Sequence, residues 1–166
     1  MNVKIEIENT KPKFQSRQEI IIDSPIDRVW SFNQDLSLIS SYHPRVKCVD
    51  LVSGVQFREA GVFYRCHLTD GKNTCVERDI EIVPYHKIVT VMPEDTMGLS
   101  KLLNDYLVET IFTKIDDAHT KIEFNHYYST NTLKAKVINL IARGKIGKES
   151  METLRAMKKS IEEIAE

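Results

Sequence analysis

Glu109, His126 and Tyr128 are the residues of this chain whose types and predicted positions best suit acid–base chemistry. A hairpin turn at residues 116–119, with a loop of two or four residues, sets Glu109 opposite His126 on one face of the sheet. The same register sets Leu107 opposite Tyr128. A carboxylate beside an imidazole raises the basicity of the imidazole, which could then act as a general base. The phenol of Tyr128 could donate a hydrogen bond to a ligand oxygen. The alternative, which the sequence favours over catalysis, is a polar pair that satisfies itself at the wet rim of the sheet.

Arg78 is the second candidate, because a neighbouring hairpin directs it inward. A three-residue loop at Thr69-Asp70-Gly71, with Gly71 left-handed, pairs Val62 with Arg78. The inward face then comprises Val62, Tyr64, Cys66, Val76 and Ile80. A buried guanidinium requires an anion, so Arg78 should meet an acidic ligand group or a protein carboxylate, unless its head reaches the rim. Tyr64 on this face is a further candidate ligand contact.

The turn admits a second register. A two-residue Asp-Gly turn would set Cys66 directly opposite Cys75, close enough for a cross-strand disulfide. The three-residue loop gives the cleaner apolar face, so we expect Cys48, Cys66 and Cys75 to be free thiols. Neither the cysteines nor the five histidines show metal-ligand spacing, so the sequence predicts no metal site.

Gly144 and Gly147 fall on the apolar stripe of the long C-terminal helix. A glycine costs roughly 1 kcal/mol in a helix interior relative to alanine, so a compensating role is expected. One explanation is room for a ligand between helix and sheet. The other is a kink or break at residues 142–148.

Basic residues dominate the outer surface of the first half of this helix: Lys134, Lys136, Arg143, Lys145 and Lys148. Beside an apolar stripe, such a surface can dock on anionic membranes, and otherwise it is a solvated helix face. The connection at residues 94–105 either covers a pocket mouth or is an ordinary loop.

The elements that position these residues follow from periodicity and turn signals. Strands are predicted at residues 14–22, 45–52, 60–68, 73–83, 87–92, 103–115 and 120–129. Helices are predicted at residues 25–33, 37–42 and 131–164. Ser24, Pro25 and Asp27 predict a capped helix start, and Trp30 should lie in the core.

Residues 20–32, Ile-Ile-Ile-Asp-Ser-Pro-Ile-Asp-Arg-Val-Trp-Ser-Phe, together with the element order, resemble the START-like SRPBCC superfamily of polyketide cyclases and lipid-transfer proteins. The resemblance implies an α+β helix-grip fold: a curved antiparallel sheet wrapped around a long C-terminal helix, with two short helices after the first strand. It also implies a mostly apolar cavity. It supplies no active-site motif that the chain matches.

Composition sets the remaining expectations. A chain of 166 residues with 42% hydrophobic content suits one domain, with its core at about residues 14–164. A net charge of −1 argues against nucleic-acid binding. Residues 1–10 do not resemble a signal peptide, so a cytoplasmic location is expected. No phosphate loop or Rieske spacing indicates a cofactor.

We therefore expect a module that encloses a hydrophobic or amphipathic small molecule. The alternatives are a polyketide cyclase/dehydratase-type enzyme, and lipid or quinone delivery with peripheral membrane contact. The oligomeric state is left open.

Overall fold

The computed structural model describes residues 12–164. The strands are β1 (Phe14–Ile22), β2 (Val46–Asp50), β3 (Phe63–Leu68), β4 (Thr74–Val83), β5 (Lys87–Asp95), β6 (Asn104–Lys114) and β7 (Thr120–Ser129). The helices are α1 (Ile26–Gln34), α2 (Ile39–Tyr42), α3 (Leu99–Leu102) and α4 (Leu133–Glu163), and a 3₁₀ turn (Leu36–Leu38) precedes α2. The signal-peptide comparison concerns residues 1–10, which lie outside the described residues.

The seven strands form one antiparallel sheet in the order β1-β7-β6-β5-β4-β3-β2. The sheet curves around α4, and the two short helices that follow β1 pack against it, α1 on β6 and α2 on β2, which confirms the predicted α+β helix-grip fold. The core joins the concave face of the sheet to Leu154, Met157 and Ile161 of α4. None of the helices within residues 12–164 has the length and hydropathy needed to cross a bilayer.

The opening motif packs as predicted but is capped differently. Trp30 is 7% exposed, and its ring centroid lies 5.1 Å from that of Phe112 on β6. The predicted capping box is wrong: Pro25 holds the N-cap position of α1 without a side-chain hydrogen bond, and Ser24 is buried with its hydroxyl unpaired. Thr132 caps α4 by accepting a hydrogen bond from the backbone N–H of Ala135, 3.0 Å away.

The predicted register of the β6–β7 hairpin is wrong by one residue on β6. Lys114 pairs with Thr120, so the loop has an odd number of residues, and the Asp116 carboxylate stabilises it by accepting from the backbone N–H of Ala118 at 2.8 Å. A shift of one residue exchanges the two faces of a strand. Val108 therefore lies opposite His126, and Glu109 lies opposite Asn125 on the other face.

The β3–β4 hairpin adopts the second register that the sequence admitted. The backbone N–H of Leu68 donates to the Asn73 carbonyl at 2.9 Å, so the loop between them has an even number of residues. The Asp70 carboxylate accepts from the backbone N–H groups of Lys72 and Asn73 in this loop. Cys66 consequently lies opposite Cys75, and Tyr64 opposite Glu77. Arg78 pairs with Phe63 on the outer face, so its predicted inward position is wrong. All three cysteines are free thiols.

Candidate ligand-binding site

A cavity of about 420 Å³ lies between the concave face of the sheet and α4. Its volume falls in the range of roughly 300–1,000 Å³ that is typical of small-molecule sites. The apolar part of its wall includes Ile39, Val46, Ile88, Val108, Phe124 and Met157. Two groups of polar side chains interrupt this apolar wall, one around Arg58 and the other around His126.

Arg58 enters the cavity from the connection between β2 and β3. This connection is fastened to the end of α1, because the Gln56 carbonyl accepts from the backbone N–H of Leu36 at 2.9 Å and the Gln34 carbonyl accepts from that of Arg58 at 3.0 Å. The Nε of Arg58 donates to the Asn33 carbonyl at 2.9 Å. These contacts hold the guanidinium at the cavity wall, with its side chain only 10% exposed.

Arg58, Tyr64, Glu77, Asp79 and Thr90 form a connected group that we call the arginine cluster. Nη1 of Arg58 donates to both carboxylate oxygens of Asp79, at 2.8 and 3.0 Å, and to the Tyr64 hydroxyl at 2.8 Å. The Thr90 hydroxyl donates to Asp79 at 2.7 Å. Tyr64 in turn donates to Oε2 of Glu77 at 2.8 Å. The buried guanidinium is thus neutralised by protein groups.

Burial sets the ionisation within this cluster. Burial raises the pKa of Glu77, although the hydrogen bond from Tyr64 and the charge of Arg58 oppose the rise. Burial also raises the pKa of Tyr64 well above its ordinary value. Burial alone would lower the pKa of Arg58, but the Tyr64 and Asp79 oxygens raise it well above its ordinary value. The guanidinium therefore stays charged and Tyr64 stays protonated at neutral pH.

His126, Tyr106 and Ser150 form the second polar group, the histidine cluster. The Tyr106 hydroxyl lies 2.9 Å from Nδ1 of His126, and the Ser150 hydroxyl lies 2.9 Å from Nε2. Burial lowers the pKa of His126 to about 4, so its imidazole is neutral at pH 7. A neutral imidazole donates from one nitrogen and accepts at the other, so one hydroxyl accepts its hydrogen bond and the other donates.

Tyr106 lies on the cavity face of β6 by alternation with Val108. A β-bulge adjoins it: Asn104 pairs with Ser129 and Leu107 with Tyr127, so β6 has one more residue in this stretch than β7, and Asp105 adopts a left-handed φ of 56°. The ring of Tyr106 stacks on Tyr128 with centroids 5.6 Å apart.

The two clusters flank the apolar wall along one row of the sheet. Asp79 pairs with Thr90, Thr90 with Val108, and Val108 with His126, on the successive strands β4, β5, β6 and β7. With strands roughly 4.8 Å apart, Asp79 and His126 are separated by about 14 Å along the sheet. Val108 and the neighbouring Phe124 supply apolar surface between them.

The cavity reaches solvent beside the first half of α4. There Arg45 and Glu149, an ion pair with 2.7 Å between Nη1 and Oε1, line it with half-exposed side chains. The exposed residues Lys145 of α4 and Met97 of the β5–β6 connection also line it. The connection contains α3, whose first backbone N–H groups, of Leu99 and Ser100, donate to the Asp95 carboxylate at 2.8 and 2.7 Å. Met97 and Leu99 bring this connection to the wall of the cavity.

Two of the seven predicted site residues, Tyr64 and His126, line the cavity. The other five lie elsewhere in the described chain: Arg78, Glu109, Tyr128, Gly144 and Gly147. Glu109, opposite Asn125, is not the partner of His126, so the predicted general-base pair is wrong.

The predictions for Tyr128 and the two glycines also require correction. The Tyr128 hydroxyl donates to Oδ1 of Asn139 at 2.6 Å, inside the protein. Gly144 is exposed on α4. Gly147 lets α4 pass close to β1, since a Cβ there would lie 3.0 Å from Nε2 of Gln18. The helix continues through both glycines without a break.

Sequence reasoning missed most of the polar groups in the wall. Glu77 and Asp79 alternate with Cys75 on β4, so the observed register would have placed both inward. Tyr106 alternates with Val108 on β6, so the wrong register turned it outward. Arg58 was missed because it lies in a connection where strand periodicity gives no guidance.

One group of side chains within the described residues has the donor types and proximity of a metal site: Cys66, Cys75 and Glu77. All three line the cavity. A hydrogen bond with Cys75, together with burial, raises the pKa of the Cys66 thiol. With no metal bound, that thiol is therefore protonated at neutral pH.

A seven-stranded antiparallel sheet that encloses a cavity against a long C-terminal helix defines a START-like protein of the SRPBCC superfamily. The family described as polyketide cyclase / dehydrase and lipid transport matches residues 13–162, and the chain belongs to that family. No curated protein sequence matches the chain.

Solved structures share this fold. The ZhuI aromatase/cyclase from Streptomyces sp. R1128 superposes with a TM-score of 0.71 at 16% identity, covering 91% of this chain and 94% of its own. A START superfamily protein from Mycobacterium smegmatis superposes with a TM-score of 0.73 at 9% identity, covering 92% and 99%. The protein XoxI from Bacillus cereus superposes with a TM-score of 0.68 at 13% identity, covering 91% and 97%. At these identities the likeness concerns the fold alone.

Proposed function

We propose that the protein binds one apolar, oxygenated small molecule in the cavity between the sheet and α4. The observation that carries this proposal is the apolar wall around Val108 and Phe124, flanked by the arginine cluster and the histidine cluster. Apolar walls with a few polar groups that fix orientation are typical of small-molecule sites.

The polar clusters indicate what kind of oxygen the ligand carries. Arg58 is neutralised by Asp79, and His126 is uncharged at neutral pH. Neither group offers an unpaired positive charge to a carboxylate or phosphate. Tyr106 and Ser150 instead present hydroxyl groups, of which the one that accepts from His126 keeps its proton for a ligand hydroxyl or carbonyl. A neutral polyketide-like or quinone-like compound therefore fits better than a fatty-acid anion.

The proposal is tested by extracting protein purified from its own host with organic solvent and identifying the released compounds by mass spectrometry. We expect one defined neutral compound at close to one equivalent. A charged lipid, or no compound from protein that also fails to take up candidates of this class, would overturn the proposal. Incubating the purified protein with the released compound then separates the two alternatives, since a binding module returns it unchanged and a cyclase/dehydratase-type enzyme converts it.

Exposed apolar side chains on α4 favour a second function, delivery of the ligand at an anionic membrane surface. Leu133, Leu140 and Ile141 are 79%, 82% and 79% exposed. The basic residues Lys136 and Arg143 are exposed on the same helix. Apolar side chains with Lys and Arg around them suit an anionic interface.

Vesicle sedimentation tests this second function. Delivery predicts binding to vesicles that contain phosphatidylserine, little binding to phosphatidylcholine alone, and loss of binding in Leu140→Ser/Ile141→Ser. Ile115→Ser, which removes a 50% exposed side chain from the β6–β7 loop, is the matched control and should bind normally. Equal sedimentation of all variants would exclude docking through α4.

A further inference from the structure

We propose that Cys66, Cys75 and Glu77 form a zinc site in the cavity wall. Their donor atoms, two Sγ and one carboxylate oxygen, all lie within 4.8 Å of one another. Cys66 and Cys75 are 1% and 7% exposed, and all three side chains line the cavity. The sequence spacing gave no indication of such a site, because the hairpin register alone brings the three residues together.

The hairpin preorganises the donors. Cys66 lies opposite Cys75, and Glu77 follows two residues later on the same face of β4. The Asp79 N–H donates to the Val62 carbonyl at 3.0 Å, so by alternation the Cys66–Cys75 pair is of the hydrogen-bonded kind. In such pairs the Cα atoms are about 5.5 Å apart and the side chains are less close than in the other kind, which leaves space between the thiols.

The donor set selects the metal. Thiolates disfavour Mg²⁺ and Ca²⁺, while a carboxylate is a poor ligand for Cu⁺, so two sulfurs and one oxygen suit Zn²⁺. Zn–S and Zn–O distances of about 2.3 and 2.1 Å place tetrahedral donors roughly 3.4–3.8 Å apart, which small side-chain rotations can reach from the observed positions. Three protein ligands leave a fourth position, directed into the cavity, for water or a ligand oxygen.

The carboxylate also has the outer support expected of a metal ligand. Tyr64 donates to Oε2 of Glu77, and Arg58 donates to Tyr64, each at 2.8 Å. Such contacts orient ligating groups and tune metal affinity. The zinc site goes beyond the proposed function and does not depend on it, because binding of the metal alone can be measured.

The test uses the full chain, reduced and freed of metal under anaerobic conditions. Zn²⁺ is added and the bound metal is measured by mass spectrometry after gel filtration, while Co²⁺ serves as a spectroscopic probe. We expect one equivalent of Zn²⁺, and Co²⁺ spectra with thiolate charge-transfer bands and tetrahedral visible bands. The affinity should fall at least about tenfold in Cys66→Ser, Cys75→Ser and Glu77→Gln. Cys48→Ser, which changes the exposed cysteine on β2, is the matched control and should bind normally.

Several results would overturn the site. These are less than stoichiometric Zn²⁺, Co²⁺ spectra without thiolate bands, or unchanged affinity in the Cys66 and Cys75 variants. Circular dichroism identifies variants that fail to fold. If a serine variant fails to fold, the zinc affinity of Glu77→Gln, which keeps both buried thiols, decides whether the site exists. A protein that binds zinc but neither releases nor takes up an organic compound would support this site while contradicting the proposed function. A protein that binds such a compound but no zinc would do the opposite.

Discussion

Nε2 of His126 lies 2.9 Å from the hydroxyl of Ser150, which joins β7 to α4 at the wall of the cavity. His126 is 4% exposed and Ser150 is 8% exposed. The contact therefore fixes the helix against the sheet while it presents a polar group to the cavity. Burial of the ring keeps the imidazole uncharged at neutral pH, because it lowers the pKa of His126 to about 4.

The first prediction is that stability falls in mild acid because of His126. Burial lowers its pKa to about 4 in the folded protein, against an ordinary value of 6.5. Between these values the unfolded chain binds more protons, so the free energy of unfolding decreases as the pH falls through this window and levels off below it. The contribution is up to about 3 kcal/mol.

Urea unfolding between pH 7.5 and 4 measures this effect. His126→Gln should flatten the decrease, whereas His86→Gln, at an exposed turn residue, should leave it unchanged. His43, whose pKa burial also lowers to about 4, should supply the slope that remains. An identical slope in His126→Gln and the wild type would contradict the neutral, buried imidazole.

The second prediction concerns the buried ion pair of Arg58 and Asp79, whose side chains are 10% and 0% exposed. Asp79→Asn leaves the guanidinium without its principal anion, which should lower the free energy of unfolding by about 3–5 kcal/mol. Denaturation with guanidinium chloride measures the change. Asp117→Asn, which breaks the exposed pair with Lys114, should cause no measurable change. Comparable losses in the two variants would mean that burial does not govern the pair.

The third prediction is that Asp95 holds the connection between β5 and β6 in place beside the cavity. Asp95→Ala removes the acceptor for the Leu99 and Ser100 N–H groups. A lost cap of about 1 kcal/mol corresponds to roughly fivefold easier opening, so the backbone amides of residues 99–103 should exchange their hydrogens about fivefold faster.

Asp116→Ala is the control for this exchange measurement. Asp116 likewise accepts from a backbone N–H group, that of Ala118, but in the β6–β7 loop, at the opposite end of β6 from α3. Its removal should leave exchange at residues 99–103 unaltered. Equal exchange in Asp95→Ala and the wild type would show that other contacts hold this connection.

The sequence allowed the fold to be predicted because element order and hydrophobic periodicity do not depend on loop parity. The observed β1 and β7 have the predicted bounds, and each of the other predicted elements differs by at most three residues at either end. The residues of the site, by contrast, depend on whether each hairpin loop has an odd or an even number of residues. A change of loop length between odd and even decides which residue faces the cavity. The observed loops place Glu77 there instead of Arg78 on β4, and Val108 instead of Glu109 on β6.

A carboxylate stabilises each of these two loops. Asp70 accepts from the backbone of its turn, as Asp116 does from the backbone of the β6–β7 loop. Such local bonds compete with the shortest turns, and sequence patterns do not reveal which will form. Arg58 was beyond prediction for another reason, since only tertiary contacts with the end of α1 direct it inward.

Val108 lies between the two polar clusters, so filling its position tests the central claim that a ligand occupies this cavity. Native mass spectrometry of the wild type, Val108→Phe and Leu107→Phe, each purified from the protein's own host, measures the fraction that carries a bound compound. Val108→Phe directs a ring into the cavity, whereas Leu107→Phe places the same ring on the opposite face of β6. We predict that the bound fraction falls about tenfold or more in Val108→Phe and is retained in Leu107→Phe. Full occupancy in a folded Val108→Phe protein would contradict binding between the sheet and α4.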